Sequence, residues 1–131
     1  MGFKEISAEE LQFNPFTKIG KEWMLVTAGD QEKHNTMTAS WGGVGVMWGK
    51  NVVSVYIRPQ RYTKEFVDAN ELFTLSFYDE SYRKALNICG SKSGRTGSDH
   101  CNFLSGSYFR WICLGITHLI SIFNDGIFIA L

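Results

Sequence analysis

Three short stretches of this chain put small, hydroxylic or basic side chains where a ligand could be held. The first is Asn35-Thr-Met-Thr-Ala-Ser-Trp41, in which Thr36, Thr38 and Ser40 alternate with Met37, Ala39 and Trp41. Small side chains on a strand leave its backbone N–H and C=O groups reachable. Such an edge can meet the polar rim of a planar ligand whose face stacks on apolar surface. The same residues also describe a plain amphipathic strand with its threonines in water, and on these residues alone that reading is the stronger. The second stretch is Arg58-Pro-Gln-Arg-Tyr-Thr63. Arg58 and Arg61 carry planar forks that suit phosphate oxygens, with Gln60, Tyr62 and the Thr63 hydroxyl beside them. A helix opening here adds unpaired N–H groups and a positive dipole end, a sensible seat for an anion. A solvated basic turn is the equal alternative. The third is Gly90-Ser-Lys-Ser-Gly-Arg95, where Ser91, Lys92, Ser93 and Arg95 all favour negative charge. A glycine-bounded turn of this kind can form an anion-binding nest. It lacks the GxxxxGK[ST] pattern of a nucleotide loop, and a surface loop competes evenly with the nest.

Other chemistry is poorly supplied. His34, His100 and His118 have no ligand spacing between them, so no metal site is expected. There is no Gly-x-Ser-x-Gly elbow, and no hydrolase triad can be assembled. Cys89, Cys101 and Cys113 are an odd number at spacings that fit no zinc pattern. Cys89 falls on an expected helix face and reads as a small core residue. Reduced thiols and the lack of a secretory pattern at the start suggest the cytoplasm. The 13 basic residues balance the 13 acidic ones. Bulk charge therefore gives no reason to expect nucleic acid as a partner.

The elements that must position these stretches are mostly strands. A length of 131 residues and 44% hydrophobic content suit one folded domain. Ser7 and Glu10 fit a capping box opening a short helix near Ala8, which should end by Asn14-Pro15. Trp23 to Ala28 reads as a strand closed by Gly29-Asp30, and Asn35 to Trp41 as its hairpin partner. Gly42, Gly43 and Gly45 should break regularity before a third strand, Asn51 to Ile57. Thr63 is the expected N-cap of a helix running to Asn70. Leu72 to Tyr78 forms a fourth strand. Asp79 then caps a helix whose Tyr82, Ala85, Leu86 and Cys89 share a face, with Gly90 at its C′ position. Strands two and three lack a crossover helix, which favours a small antiparallel barrel over a doubly wound sheet.

Taken together, the segments resemble the flavin-reductase-like family of FMN-binding split barrels, in particular its flavoredoxin-like branch. The resemblance covers about residues 3–95. It rests on Asn14-Pro15-Phe16, Gly20 to Gly29, Asn35 to Gly42, Ile57 to Thr63, Phe73 to Phe77 and Cys89 to Arg95, all in order. It implies a mainly β, Greek-key antiparallel barrel with short helices that forms a homodimer with FMN near the subunit interface. Residues Thr36, Met37, Thr38, Ala39, Ser40 and Trp41 would meet the flavin ring and ribityl chain. Arg58, Gln60, Arg61, Tyr62 and Thr63 would contact the phosphate, helped by Ser91, Lys92 and Ser93. The implied activity moves electrons between a nicotinamide donor, NAD(P)H, and flavin or another small-molecule redox substrate. The flavin is the redox group, and no side chain need act as a nucleophile. A non-catalytic FMN-binding electron carrier and a truncated inactive product are the alternatives.

The ending departs from that pattern. Only Arg110 and Asp125 carry charge in 100–131, so residues 1–99 read as the flavin-binding part and 100–131 as an atypical apolar segment. A reading-frame change or truncation is the first explanation, which would leave the barrel incomplete. A divergent ending that still supplies strands, through Ile112, Ile116, Ile120 and Ile122, is the second. A membrane anchor over 103–123 is the third, since about 20 residues suffice. Arg110 alone would cost it roughly 3 kcal/mol, so no membrane partner is expected.

Overall fold

The computed structural model describes residues 7–70 and 72–96, together with the backbone of 119–123 and 127–130. The capping box appears as expected: the Ser7 N–H donates to Glu10 Oε2 at 2.9 Å, and the Ser7 hydroxyl accepts from Glu9. It opens a single 3-10 turn, Ala8–Glu10. Asn14-Pro15 begins the next helix rather than ending this one. Asn14 Oδ1 accepts from the Phe16 N–H at 3.0 Å, and Pro15 takes the first position of α1 (Pro15–Thr17). Proline is tolerated there because that N–H has no helical partner anyway.

Strand β1 (Met24–Gly29) pairs antiparallel with β2 (His34–Ala39) and with β5 (Phe73–Ser76), giving the order β2-β1-β5. β1 is covered on both sides. Met24, Val26 and Ala28 face the main core with Met37, Ala39, Phe73, Leu75, Val55 and Ile57. Leu25 faces the other way, onto Leu86 and Cys89 of α3 (Arg83–Ser91). Helix α2 (Tyr62–Ala69) closes the main core with Phe66 and Val67. A fully buried Leu or Val side chain contributes about 1.5–3 kcal/mol, which explains why the apolar run Met24-Leu-Val26 sits at the centre.

The glycine-rich stretch does not interrupt the fold. Gly42–Met47 is strand β3, and it pairs antiparallel with β4 (Lys50–Tyr56). Trp48 and Gly49 form the two-residue turn, both with positive φ (51° and 73°), as a tight hairpin demands. Gly42 is required by contact: a methyl group there would collide with the Ser54 carbonyl. Sheet continuity won over local glycine propensity.

Thr63 is not the N-cap of α2. Arg61 holds that place in an extended conformation, without a side-chain cap. Gly90 is not at C′ either: α3 runs through it to Ser91 and is capped by Lys92. Asp79 caps as expected, but it does so on a 3-10 turn, Glu80–Tyr82, that leads into α3.

Strands β6 (Leu119–Phe123) and β7 (Ile127–Ala130) extend the second sheet, with order β3-β4-β7-β6 and β7 antiparallel to β4. This is the arrangement that a divergent, strand-supplying ending requires. Ile112, Ile116 and most of 103–123 lie outside the described residues. Among the described residues, no helix is long and apolar enough to cross a membrane.

Candidate functional site

Strand β2 lies at the margin of its sheet. β1 pairs with one of its edges, and the other runs beside Gln60, Arg61 and the end of α3. Two cavities line up along that free edge. The narrower, about 170 Å³, is bounded by Asn35, Thr36 and Met37 of β2, by Gln60 to Thr63, and by Ser91 to Gly94. The wider, about 320 Å³, is bounded by Met37 to Trp41, Tyr56, Arg58, Gln60, Arg61 and Gly90. Met37, Gln60 and Arg61 line both, so they form one elongated site with β2 along its length. All three stretches singled out in the sequence meet here.

The narrow end is a polar well. Helix α2 opens into it without a side-chain cap, leaving first-turn N–H groups for a ligand. Thr63 is 1% exposed, and its Oγ1 accepts a 2.7 Å bond from Asn35 Nδ2. The Thr63 hydroxyl proton therefore stays available to an acceptor. Arg61 sends Nη1 to the Gly90 carbonyl at 3.0 Å and Nη2 to the Cys89 carbonyl at 3.4 Å. These bonds tie α2 to the carbonyl end of α3, where a cation is favoured. They use two of the five guanidinium donors. Ser93 Oγ accepts from the Arg95 N–H at 3.3 Å and keeps its own proton to donate. Ser91 is different: its hydroxyl is spent on the Asn87 carbonyl at 2.8 Å. Arg95 pairs with Glu65 and lies over the Tyr62 ring at 5.0 Å, so its charge is already engaged.

The threonines of β2 do not face water. Thr36 is buried, with its hydroxyl 2.9 Å from that of Thr27. Thr38 donates to the Leu86 carbonyl of α3 at 2.5 Å. What β2 leaves open is its backbone edge. Arg58 lines the wide cavity and not the polar well, and its guanidinium sits 4.7 Å above the Trp41 ring. A third cavity, about 410 Å³, continues past Ser40, Trp41 and Tyr56 to Pro15, Phe16 and Ile19. Phe16 is 87% exposed there.

Sequence reasoning passed over Asn35, Tyr56, Glu65 and Gly94. Asn35 stood at the head of the β2 stretch, and its amide was the available signal. Glu65 and Arg95 are joined only by folding, and no spacing marks that pair.

The chain is similar in structure to the FMN-binding domain of a flavin reductases-like enzyme from Shewanella baltica. The TM-score is 0.68 at 17% identity, covering 88% of this chain and 69% of that one. It is also similar to flavoredoxin of Desulfovibrio vulgaris (Miyazaki F), at TM-score 0.64 and 20% identity, covering 98% and 73%. An FMN-binding protein from Thermus thermophilus with bound p-hydroxybenzaldehyde gives TM-score 0.64 at 17% identity, covering 98% and 78%. These likenesses identify the fold as the mainly β split barrel. No curated protein matches the sequence. The flavin reductase like domain family matches residues 16–110, past the point where the motif resemblance stops. Most of the chain lies inside that match, and the chain therefore belongs to the flavin reductase like domain family.

Proposed function

We propose that this chain is an FMN-binding oxidoreductase domain of the flavin-reductase type. One observation carries the reading: the polar well and the wide cavity share Met37, Gln60 and Arg61 along the free edge of β2. A phosphorylated planar ligand needs that sequence of surroundings, donors at one end and an open strand edge at the other. The donor set fits. Arg61, Lys92, Ser93, Thr63 and the open start of α2 would hold the phosphate, with Gln60 and Tyr62 beside it and Ser91 shaping the wall. The backbone of Met37 to Trp41, with Thr38, Ala39 and Ser40, would meet the ring edge, and Thr36 would support it from the core. Arg58 would lie on the ring side, next to Trp41.

Bound FMN would supply the electron-transfer chemistry. The chain's part is to hold the phosphate, fix the ring against β2 and leave one side open. The apolar cavity around Phe16, Trp41 and Tyr56 adjoins the ring position and offers room for a small-molecule redox partner. The Thermus thermophilus relative, which holds p-hydroxybenzaldehyde, supports a substrate of that size. NAD(P)H is the proposed donor, and the cytoplasm the proposed compartment. A homodimer is part of the same reading, since β3 is a sheet margin and carries exposed Val44 and Val46, followed by Trp48. In this reading residues 1–99 hold the flavin and the tail, 100–131, supports them through β7, which pairs with β4.

Fluorescence titration with FMN tests the binding. Quenching that saturates at one FMN per chain supports it, and protein that ignores FMN refutes it. Anaerobic NADH or NADPH then tests the reaction. Bleaching of the flavin band marks a reductase, whereas colour that persists until a chemical reductant is added marks an electron carrier.

A further inference from the structure

The two cavities give the site a direction. Along β2, Trp41 marks the wide end and Asn35 the far end of the polar well. What stands beyond Asn35 decides how long a ligand can be. Gly94 lines that end of the well and packs against Asn35. A methyl group on Gly94 would collide with Asn35 Oδ1, and it would lie 3.1 Å from Asn35 Cγ and 3.4 Å from Tyr62 Cδ1. Gly94 is thus seated against the side chains of Asn35 on β2 and of Tyr62, the first residue of α2. Two contacts of Arg95 hold it there: the ion pair with Glu65 and the stack over the Tyr62 ring at 5.0 Å. The well itself, about 170 Å³, is smaller than the roughly 300 Å³ that whole small-molecule ligands occupy. It suits an end group.

We propose that Arg95 and Glu65, acting through Gly94, close the far end of the well, so that the site takes a flavin ending in one phosphate monoester and refuses one extended by a nucleotide. This rests on the flavin reading above. Arg95 and Glu65 are positioning residues: neither would touch the ligand. Arg95 is spent on the wall and not on the phosphate. Specificity of this kind comes from an obstruction to the longer ligand rather than from a better contact to the shorter.

The test is fluorescence titration of the full chain with FMN, FAD and riboflavin. Wild-type protein should bind FMN at least about tenfold more tightly than FAD. Arg95→Ala and Glu65→Gln should each narrow that ratio by about threefold or more while leaving riboflavin affinity unchanged. The charge-swapped pair Glu65→Arg with Arg95→Glu should restore it. Both side chains are about half exposed, and circular dichroism melting checks that the variants fold. Wild-type protein that binds FAD as tightly as FMN overturns the wall but leaves the flavin reading standing. So does an FMN-to-FAD ratio that neither variant moves. Binding of none of the three flavins overturns both.

Discussion

The Arg61 guanidinium donates to the Gly90 carbonyl at 3.0 Å, joining residues 29 positions apart in the chain. Arg61 stands at the start of α2 and Gly90 near the end of α3. This bond makes one wall out of two of the three stretches that the sequence marks as chemically able. β2 supplies the other wall, and the site exists only because all three converge.

Arg61 and Arg58 should be separable by ligand. Arg61→Ala removes charged hydrogen bonds worth about 1.5–3 kcal/mol and opens the well. FMN affinity should fall by roughly tenfold or more, with a smaller loss for riboflavin. Arg58→Ala should weaken the two ligands alike, because Arg58 lies beside Trp41 and outside the well. Parallel titrations decide it, and an equal loss of both ligands in Arg61→Ala would remove Arg61 from the phosphate.

Asn35→Ala should cost stability as well as binding. It leaves the buried Thr63 hydroxyl without its 2.7 Å partner, a loss of about 1–3 kcal/mol. Urea unfolding should show a lower midpoint with an unchanged slope.

Gly42→Ala should destabilise by about 1–3 kcal/mol, because the added methyl meets the Ser54 carbonyl and backbone cannot swing aside. Gly45→Ala is the control, with nothing within 4 Å of its position. Similar melting temperatures for the two variants would argue against the β3–β4 packing.

The β1–β2 turn should weaken in acid. Backbone N–H groups of Lys33 and Glu32, each 2.8 Å from Asp30 Oδ1, hold the Asp30 carboxyl below its ordinary 3.8. A depressed folded pKa stabilises above the unfolded value and loses that contribution as pH falls through the folded one. The turn should therefore be intact at neutral pH and loosen below about pH 4. Asp30→Asn should flatten the acid limb of the thermal-stability profile.

Placing a charge on the β3 margin should test self-association. Val46 is 71% exposed and Trp48 76%, two apolar side chains two positions apart at a sheet margin, where a second copy could pack. In size-exclusion chromatography the wild type should elute as a dimer, and Val46→Lys with Trp48→Lys should shift it to monomer. A monomeric wild type would remove the homodimer from the reading.

Much of the framework was legible in the sequence because it rests on local rules. A β-rich run marked β1, and period-two alternation marked β2, with Met37 and Ala39 alternating with Thr36 and Thr38. The Ser7–Glu10 box and the Asp79 cap were readable for the same reason, since their partners lie within three residues. Local rules failed where distant contacts overrode them. Glycines at 42, 43 and 45 look like breakers, yet pairing with β4 holds them in a strand. Thr63 looks like a cap, yet its Oγ1 accepts from Asn35, and Arg61 carries the helix start.

The amino-acid sequence alone determined the strand-rich order, the family and the three stretches able to hold an anion or a planar ring. Only the tertiary structure decided which groups inside those stretches stay free. It turned the β2 threonines onto Thr27 and α3, committed Ser91 to Asn87, drew Arg95 to Glu65 and left Arg61, Thr63 and Ser93 with donors to spare. The reason is physical: a side chain's chemistry is set by its type, but its availability depends on which neighbours reach its hydrogen-bonding atoms first, and those neighbours lie far along the chain.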